Sequence, residues 1–445
     1  MSGRYFVGLD VGTTTSKAVV FTESGEAVSA GRAPTPWQMV ATGAELDARA
    51  LLRSAIAAIA GALETCPPGT IAGVGVASLA ESGVLIDRHG DPVAPVVAWH
   101  DTRDDAELAD LKRRFPDPEF AAVTGLPLRQ QWSLTKHRWL RDHVPTSRAA
   151  VRRFNVAEWI VRGLGGDEAT EQSLASRTGW LRLADRSWWP EALDWSGATE
   201  ELMPELITAG TPLSRVSSSV GLPRLRGAVL TVAGHDHQAA AVGAGADGPG
   251  DELDSCGTAE ALVRTVRPGL PPMVVADLAA AGITTGWHAV AGHWCLLGAT
   301  QGGLALQRVL ALLGKDRADL PALDAAALAL PTPTLKIVAP PFGKVDLVGA
   351  GDGHTPAHVW RAALECVTDQ VAVIHDAMTA VSGRHRALVV TGGWSRSEAL
   401  IAVKRHRFGN LARPDVVEAG ARGAAMLAAV AAEAIAAPEP SVHVP

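Results

Sequence analysis

One pattern near the start of the chain constrains the fold more than any other, and it occurs twice. Residues 5–10 form a short apolar run that ends in Asp10, residues 11–17 form a polar turn, and residues 18–21 are apolar again. Two apolar runs around a small polar turn predict a β-hairpin. An acid, a Gly-Thr pair and an apolar run recur in the same order over residues 254–263. Although the spacing differs, this weak repeat predicts two halves built on one plan and facing each other.

Helical and strand patterns alternate along the rest of the chain, which predicts an α/β architecture. The helical patterns cover residues 45–65 and 104–165, and the strand patterns cover residues 71–78, 84–87, 227–233 and 387–390. A cluster of glycines and a proline over residues 243–250 is typical of an interdomain boundary. We therefore predict an N-terminal domain over residues 1–246, a C-terminal domain over residues 247–437 and a loose tail over residues 438–445.

The composition argues against several classes of protein. The 445 residues include 40 basic and 47 acidic side chains without a run of like charge, so nucleic acid and membranes are not expected partners. The four cysteines, Cys66, Cys256, Cys295 and Cys366, form no CxxC pair, which fits a reduced, cytoplasmic compartment better than zinc or disulfides. The most apolar helical stretch, residues 423–437, is too short and too weakly apolar to span a bilayer.

Three turns rich in small residues follow strand patterns and are suited to bind phosphate. Glycine lets the backbone bend close to an anion, so that successive N–H groups point at it. In the first turn, residues 12–17, hydroxyls add donors and Lys17 adds charge. The others are Gly257-Thr258 and Gly392-Gly393, the latter before an expected helix start. Each is a common turn by itself, and the first also fits an ordinary polar hairpin, but together they predict a nucleotide cleft between two domains.

Two acidic residues at strand ends are candidates for the chemistry. Asp10 ends the first strand, where a carboxylate is suited to hold Mg²⁺ through water, although a turn-forming aspartate is the alternative. Asp236 follows a buried strand and begins a helix, where a carboxylate can accept the proton of an acceptor hydroxyl. His235 and His237 flank Asp236. Metal binding by these histidines is the weaker interpretation, because no further ligand cluster is visible in the sequence.

A second polar group follows two other strand patterns. Glu81 comes after the strand at residues 71–78, and Trp99, Asp101 and Arg103 precede a helical pattern. Carboxylates and arginine hold hydroxyl groups, while tryptophan covers the apolar face of a sugar. The alternative for Asp101 is helix capping, with Arg103 as an ordinary surface residue.

These motifs, in this order, resemble the FGGY family of carbohydrate kinases, which includes xylulokinase, gluconokinase and glycerol kinase. The similarity runs from residue 5 to about residue 425, and the ordered set of segments is specific although no single one is decisive. The segments are Gly8-Leu9-Asp10-Val11-Gly12-Thr13-Thr14-Thr15-Ser16-Lys17, Trp99-His100-Asp101-Thr102-Arg103, Ala175-Ser176-Arg177-Thr178-Gly179, Gly234-His235-Asp236-His237-Gln238 through Gly245, Ser255-Cys256-Gly257-Thr258 and Gly392-Gly393-Trp394-Ser395-Arg396-Ser397.

The resemblance implies two actin-like (ribonuclease H-like) domains and an ATP-dependent kinase of a small sugar or polyol, with its site in the interdomain cleft. Asp236 would be the general base, Asp10 and Asp236 would lie near Mg²⁺, and Glu81, Trp99, Asp101 and Asp236 would line the sugar pocket. The residues assigned to ATP are Gly12, Thr13, Thr14, Thr15, Lys17, Gly257, Thr258, Gly302, Gly392, Gly393 and Ser397. Domain closure would exclude water. A homodimer is one assembly consistent with the resemblance, since dimers are common in similar proteins.

The acceptor is the open part of this prediction. Residues 77–82 lack the Met-His of typical xylulokinases and the Gln-Arg-Glu of typical glycerol kinases, although Glu81 resembles the acid of the latter. We expect a ketose of the pentulose type, with glycerol, a tetritol or an aldonate as alternatives. Two other classes fit the same architecture. One is an ATP-binding regulator without sugar-dependent turnover, and the other is a phosphatase or ATPase in which Asp236 orients water.

Overall fold

A computed structural model describes residues 3–331, 334–339 and 345–436, so the predicted tail at residues 438–445 lies outside the described residues. The strands are β1 (Gly3–Val11), β2 (Thr15–Thr22), β3 (Ala27–Pro34), β4 (Gln38–Val40), β5 (Gly43–Leu46), β6 (Gly69–Ser78), β7 (Gly83–Ile86), β8 (Val96–Val97), β9 (Arg152–Asn155), β10 (Ala169–Glu171), β11 (Glu205–Ile207), β12 (Val229–His235), β13 (Asp251–Cys256), β14 (Glu260–Val266), β15 (Thr284–Trp287), β16 (Trp294–Thr300), β17 (Lys336–Val338), β18 (Asp346–Val348) and β19 (Ala387–Thr391).

The α-helices alternate with these strands, as the sequence predicts. They are α1 (Ala48–Glu64), α2 (Asp105–Arg114), α3 (Asp117–Thr124), α4 (Ser133–His143), α5 (Val156–Gly163), α6 (Gln172–Ala175), α7 (Pro190–Ser196), α8 (Asp236–Ala244), α9 (Pro272–Ala280), α10 (Gly302–Leu312), α11 (Leu320–Leu328), α12 (Pro356–Ser382), α13 (Glu398–Phe408) and α14 (Ala419–Ala436). Single 3₁₀ turns cover Pro145–Ala149, Glu200–Leu202, Ser218–Val220, Pro223–Leu225, Arg317–Asp319 and Gly393–Arg396. Among the described residues, no helix combines the length and the hydropathy that crossing a membrane requires.

The first sheet is built on the predicted N-terminal hairpin. Its strand order is β12-β6-β1-β2-β3, with β1, β2 and β3 antiparallel in succession and with β6 and β12 parallel to β1. The carboxyl ends of three parallel strands therefore meet at one edge, where Val11 pairs with Ser78 and Ser78 pairs with His235. Asp10, Glu81 and Asp236 lie at or just beyond these three strand ends.

The second sheet repeats the plan of the first, which confirms the repeat seen in the sequence. Its order is β15-β16-β14-β13-β19; β13, β14 and β16 are antiparallel in succession, and β19 is parallel to β13. Strands β13, β14, β16 and β19 thus take the places of β1, β2, β3 and β6. The turn at Gly257-Thr258 joins β13 to β14, just as residues 12–14 join β1 to β2.

The last helix, α14, packs on the first sheet although it falls in the predicted C-terminal range. Its alanines meet Phe6, Val19 and Phe21 in one buried cluster, while α1 covers the opposite face of the sheet. Glycines allow this close approach, since a Cβ atom added to Gly8 would lie 1.7 Å from the carbonyl oxygen of Ala421. The predicted boundary between residues 246 and 247 falls between α8 and β13 and stays a prediction.

We expect Gly8→Ala to lower the free energy of unfolding by about 2–3 kcal/mol, because the added methyl group would push α14 away from β1. Urea denaturation followed by circular dichroism measures this change. Gly351→Ala is the matched control, since nothing lies within 4 Å of a Cβ atom there. Equal midpoints for the two variants would contradict the role assigned to this helix contact.

Candidate active site

Asp10 and Asp236 lie at the carboxyl edge of the first sheet, close enough to repel each other. Burial raises the pKa of Asp10 to about 7, and repulsion from Asp236 adds to the shift. Burial also raises the pKa of Asp236 to about 7, against the effect of the His237 N–H that donates to its Oδ1 at 2.7 Å. The side chain of Asp236 stays 24% exposed. This edge therefore holds two carboxylates that are not neutralised by a cation of their own.

The donor set fits a divalent cation such as Mg²⁺. Asp10 Oδ1 is buried and accepts no hydrogen bond from the described residues. Carboxylate oxygens are the ligands that this ion takes, and two mutually repelling carboxylates favour it further. Burial lowers the pKa of both His235 and His237 and keeps their imidazoles neutral, which is the form that binds a metal, so their protonation does not argue against the histidine interpretation. In the described part of the chain, the group of three potential metal ligands that comes together lies elsewhere, at Asp254, Cys256 and Glu260.

Glu81 is held in place by two other side chains and keeps one oxygen available. Its φ of 68° lies in the left-handed region, which is uncommon for a residue other than glycine and is often found at functional sites. Glu81 Oε1 accepts from Gln131 Nε2 at 3.0 Å and from Arg177 Nε at 2.8 Å. No described residue donates to Oε2. That oxygen is free to accept a hydrogen bond from a substrate hydroxyl.

Trp99 and Asp101, which were both predicted to line the sugar pocket, have different surroundings in the structure. The half-buried Trp99 donates from Nε1 to Thr13 Oγ1 at 3.3 Å, so its ring lies beside the first phosphate turn. Asp101 is fully buried, and Arg103 and Thr42 occupy both of its carboxylate oxygens. The prediction that Asp101 contacts the sugar therefore has no support here. Helix capping by Asp101 is wrong, because α2 begins only at Asp105. Arg103 is not an ordinary surface residue either, since its side chain is only 8% exposed.

The first phosphate turn is closed and braced by hydrogen bonds. Gly12 N donates to Thr15 O at 3.1 Å, while Trp37 Nε1 donates to Thr13 O at 2.6 Å from outside the turn. Thr14 is exposed at the tip. Lys17 lies on β2 opposite Asp10, and its Nζ bonds Glu418 Oε2 at 3.0 Å. The positive charge of Lys17, which was predicted to bind phosphate, is thus partly neutralised by Glu418, the residue just before α14.

The glycine turns of the second half come together. Leu304 N, in the first turn of α10, donates to Thr258 O at 3.0 Å. A Cβ atom at Gly303 would lie 1.9 Å from the carbonyl oxygen of Gly257, and one at Gly392 would lie 2.5 Å from that of Cys256. Gly303 and Gly392 therefore pack backbone against backbone on residues 256–257, and Gly302 lies next to Gly303 at the start of α10.

Ser397, a member of the predicted nucleotide set, caps a helix in the structure. It is fully buried, and its Oγ accepts from Leu400 N at 3.1 Å as the N-cap of α13. A capping hydroxyl satisfies a backbone N–H group at the start of a helix. The hydroxyl of Ser397 is therefore engaged in the helix cap, and the assignment of Ser397 to ATP stays a prediction.

Three side chains near Glu81 were missed in the sequence. Arg177 appears there only within the segment 175–179, and Arg129 and Gln131 carry no motif. The guanidinium groups of Arg129 and Arg177 each lie 5.1 Å from the ring of Trp132. Burial and the charge of Arg177 lower the pKa of Arg129 to about 10, and Arg129 makes no side-chain hydrogen bond or ion pair with the described residues. The signal that could have pointed to Arg177 is the polar Ser-Arg-Thr triplet at residues 176–178.

Comparison with known proteins agrees with this arrangement of the site. The model of the N-terminal domain of the FGGY family of carbohydrate kinases matches residues 5–243, more than half of the chain, and the model of the C-terminal domain matches residues 316–432. The chain belongs to the FGGY family. The predicted enzyme class, a carbohydrate kinase, is thereby confirmed.

Individual members of the FGGY family match along nearly the whole chain. A glycerol kinase from Thermus brockianus is 29% identical over 474 residues, with 97% of this chain and 91% of that protein covered. A glycerol kinase from Janthinobacterium sp. (strain Marseille) is 28% identical over 475 residues, with 96% and 90% covered.

Solved structures confirm the FGGY fold of two actin-like domains. A xyloylose kinase from Brucella ovis superposes with a TM-score of 0.85 at 22% identity, covering 97% of this chain and 91% of that one. A Plasmodium falciparum glycerol kinase with ADP gives a TM-score of 0.86 at 18% identity, covering 97% and 90%. A gluconate kinase from Lactobacillus acidophilus gives 0.84 at 19% identity, covering 99% and 91%.

We expect the affinity of this FGGY kinase for Mg²⁺ to increase as the pH rises through about 7. Below that pH the raised pKa values keep a proton on the Asp10 and Asp236 pair, and Mg²⁺ must displace it, so affinity falls by up to about tenfold per pH unit. Isothermal titration calorimetry in two buffers of different ionisation enthalpy measures both affinity and proton release. Asp10→Asn should weaken Mg²⁺ binding and reduce the number of protons released, because one of the two titrating carboxyls is lost, whereas the exposed Asp352→Asn should change neither. A flat affinity between pH 6 and 8 would show that the pair does not hold the proton.

Proposed function

We propose that this protein transfers the γ-phosphoryl group of ATP to a hydroxyl group of a small sugar or polyol, with Asp236 as the general base. The observation that carries the proposal is the partly exposed Asp236 beside Glu81, whose Oε2 has no donor among the described residues. A carboxylate with a pKa near 7 is well matched to accept a proton at neutral pH. A second carboxylate with a free oxygen can hold a neighbouring hydroxyl of the same molecule.

In this mechanism the acceptor hydroxyl donates to Asp236 while another hydroxyl donates to Glu81 Oε2. Arg177 fixes Glu81 and places positive charge near the base, which favours the ionised form of Asp236. The ring of Trp99 is positioned to cover an apolar face of the acceptor, next to the turn at Thr13. Asp10 and Asp236 would hold Mg²⁺, which neutralises charge on the phosphates when bound.

The nucleotide is proposed to lie between the two phosphate turns. The turn at residues 12–15 and the turn at Gly257-Thr258 occupy equivalent places in the two sheets. The backbone surface at Gly302, Gly392 and Gly393 would receive the adenosine, because small residues let a flat ring approach the chain. ATP is the nucleotide that the family membership implies.

The acceptor remains to be chosen between compounds that share vicinal hydroxyls. The sequence relatives named above are glycerol kinases, whereas the solved structures include xyloylose, glycerol and gluconate kinases. A pentulose stays our first choice and glycerol the second. Aldonates belong in the test because the guanidinium of Arg129, without a partner among the described residues, lies near Glu81. A cytoplasmic location and a homodimer stay predictions from the sequence.

We expect Asp236→Asn to reduce acceptor-dependent ADP release by about 10²–10⁴-fold, because the acceptor loses its proton acceptor. The assay supplies Mg-ATP with pentuloses, hexuloses, glycerol, erythritol and aldonates, and calorimetry checks that ATP still binds. Asp352→Asn is the control. Unchanged turnover in Asp236→Asn would remove it as the base. In the unmodified protein, ATP binding with a flat panel would favour a regulator, and hydrolysis independent of every acceptor would favour an ATPase.

We expect Glu81→Gln to raise the KM for the acceptor by about tenfold, because the amide is a weaker acceptor than the carboxylate and loses its charge-assisted bond to Arg177. The KM for ATP should change less than about twofold. Steady-state kinetics with each substrate varied in turn measures both constants, and the exposed Glu26→Gln serves as control. A loss of ATP affinity alone would place Glu81 on the nucleotide side of the cleft.

A further inference from the structure

Arg177 connects the acceptor pocket to the second half of the chain. Its Nε and Nη2 bond Glu81 Oε1 at 2.8 and 2.7 Å, and its Nη1 donates to Thr284 Oγ1 at 2.8 Å. The side chains of Arg177 and Glu81 are only 7% and 4% exposed. Thr284 is the first residue of β15, the edge strand of the second sheet. One rigid, buried guanidinium therefore joins a pocket in the first half to a strand in the second.

Thr284 is in turn hydrogen-bonded to the strand that leads to α10 and, through it, to the second phosphate turn, Gly257-Thr258. Its single hydroxyl proton is donated to Leu297 O on β16 at 3.2 Å, so the hydroxyl accepts from Arg177 and donates to β16 at once. Strand β16 ends at Thr300, and α10 follows at Gly302. The first turn of α10 bonds the Gly257-Thr258 turn through Leu304 N. A chain of bonded groups thus runs from Glu81 to the second phosphate turn.

Other hydrogen bonds also tie β15 and the residue pair after it to the first half. Thr285 N donates to Gly125 O at 2.9 Å, Trp287 N donates to Ser176 Oγ at 2.9 Å, and Ala289 N donates to Gln238 Oε1 at 2.7 Å. These bonds hold the two halves together, but none of them involves a residue bonded to Glu81. Among the described hydrogen bonds between β15 and the first half of the chain, the Arg177–Thr284 bond is the one whose donor also bonds Glu81 in the acceptor pocket.

We propose that the Arg177–Thr284 bond couples acceptor binding to nucleotide binding, with Arg177 and Thr284 as positioning residues; this rests on the proposed function. An acceptor that bonds Glu81 fixes Arg177, and Arg177 fixes β15 and the strand that leads to α10. A nucleotide that orders the Gly257-Thr258 turn acts along the same bonds in the opposite direction. Coupling of two binding sites is reciprocal, so each ligand strengthens the binding of the other by the same factor.

Two adjacent threonines supply a matched pair of variants. Thr284→Val removes the hydroxyl that accepts from Arg177 while keeping the shape of the side chain. Thr285→Val removes an equally buried hydroxyl that has no hydrogen-bond partner among the described residues. Thr284→Ser restores the hydroxyl and is the rescue variant. Thermal unfolding of all three variants checks that each is folded under the conditions of the assay.

The first measurement is amide hydrogen exchange of residues 172–178 with and without Mg²⁺ and β,γ-imido-ATP. We expect the nucleotide analogue to slow exchange there in the unmodified protein, in Thr285→Val and in Thr284→Ser. In Thr284→Val the slowing should fall by at least about fivefold, the lower end of ordinary coupling factors. Equal slowing in all four proteins, or equal loss in both valine variants, would overturn the proposal. This measurement needs no acceptor, so it tests the coupling even if no acceptor is phosphorylated.

The second measurement gives the coupling factor itself. The probe is whichever of glycerol, D-xylulose and D-gluconate gives the highest ADP release, and its Kd is measured with and without the nucleotide analogue. The ratio of the two Kd values should fall towards 1 in Thr284→Val, while the Kd without nucleotide changes less than about twofold. A ratio that survives in Thr284→Val would overturn the coupling. If no compound of the full acceptor panel supports turnover in the unmodified protein, the proposed function fails, and the exchange result decides the coupling by itself.

Discussion

The contact on which the rest of this structure depends is the packing of the last helix, α14, against β1 and β6. Glycines at positions 8 and 75 let the helix backbone approach the sheet so closely that a methyl group at either would overlap a helix carbonyl. The start of α14 brings Gly420 against Asp10, where the positive end of the helix dipole favours a carboxylate. Glu418, just before the helix, reaches Lys17. A site whose first acid is residue 10 is therefore completed only by residues beyond 415.

Charge balance at the sheet edge separates the residues that support the site from those that are left for chemistry. Glu81 is paired with Arg177, and Lys17 is paired with Glu418. Asp10 is in no ion pair with the described residues, and His235 Nε2, which lies 3.2 Å from Asp236 Oδ1, belongs to an imidazole that burial keeps neutral by lowering its pKa. Burial raises the pKa of both carboxyls to about 7. Buried carboxylates without partners are costly unless a proton or a cation joins them. A proton on Asp236 and a divalent cation beside Asp10 would therefore both stabilise this edge of the sheet.

The two halves share one topology, but the acids of their first hairpins have different surroundings. Asp254 is the acid of the repeated hairpin, but it lies three residues before Gly257, whereas Asp10 lies two residues before Gly12, so Ser255 takes the place of Asp10. Asp254 is fully buried and bonded to the ammonium group of Lys404. Glu260 bonds the same ammonium group, and the neighbouring carboxylates keep the pKa of Lys404 well above its usual value in spite of its burial. A cation of the chain itself therefore fills the space where Asp254, Cys256 and Glu260 come together. The acids of the two hairpins are therefore not equivalent: Asp254 is neutralised by a cation of the chain itself, whereas Asp10 Oδ1 accepts no hydrogen bond from the described residues.

Local patterns in the sequence predicted the first hairpin, its weak repeat and the acids at strand ends. The parallel pairing of β1, β6 and β12, which the structure shows, brings these ends to one edge. Thr284 lies 107 positions from Arg177, Glu418 lies 401 positions from Lys17, and no local pattern reports such partners. The partner can stay hidden even when it is close in sequence. The motif around Asp101 is compatible with a substrate contact, but in the structure Arg103 bonds both oxygens of its carboxylate. A motif thus identifies which side chains reach a strand end, whereas their partners decide which of them are already neutralised. Asp10 Oδ1 and Glu81 Oε2 accept no hydrogen bond from the described residues, and Asp236 has no charged partner there, so the chemistry of the protein has to be sought at these three carboxylates.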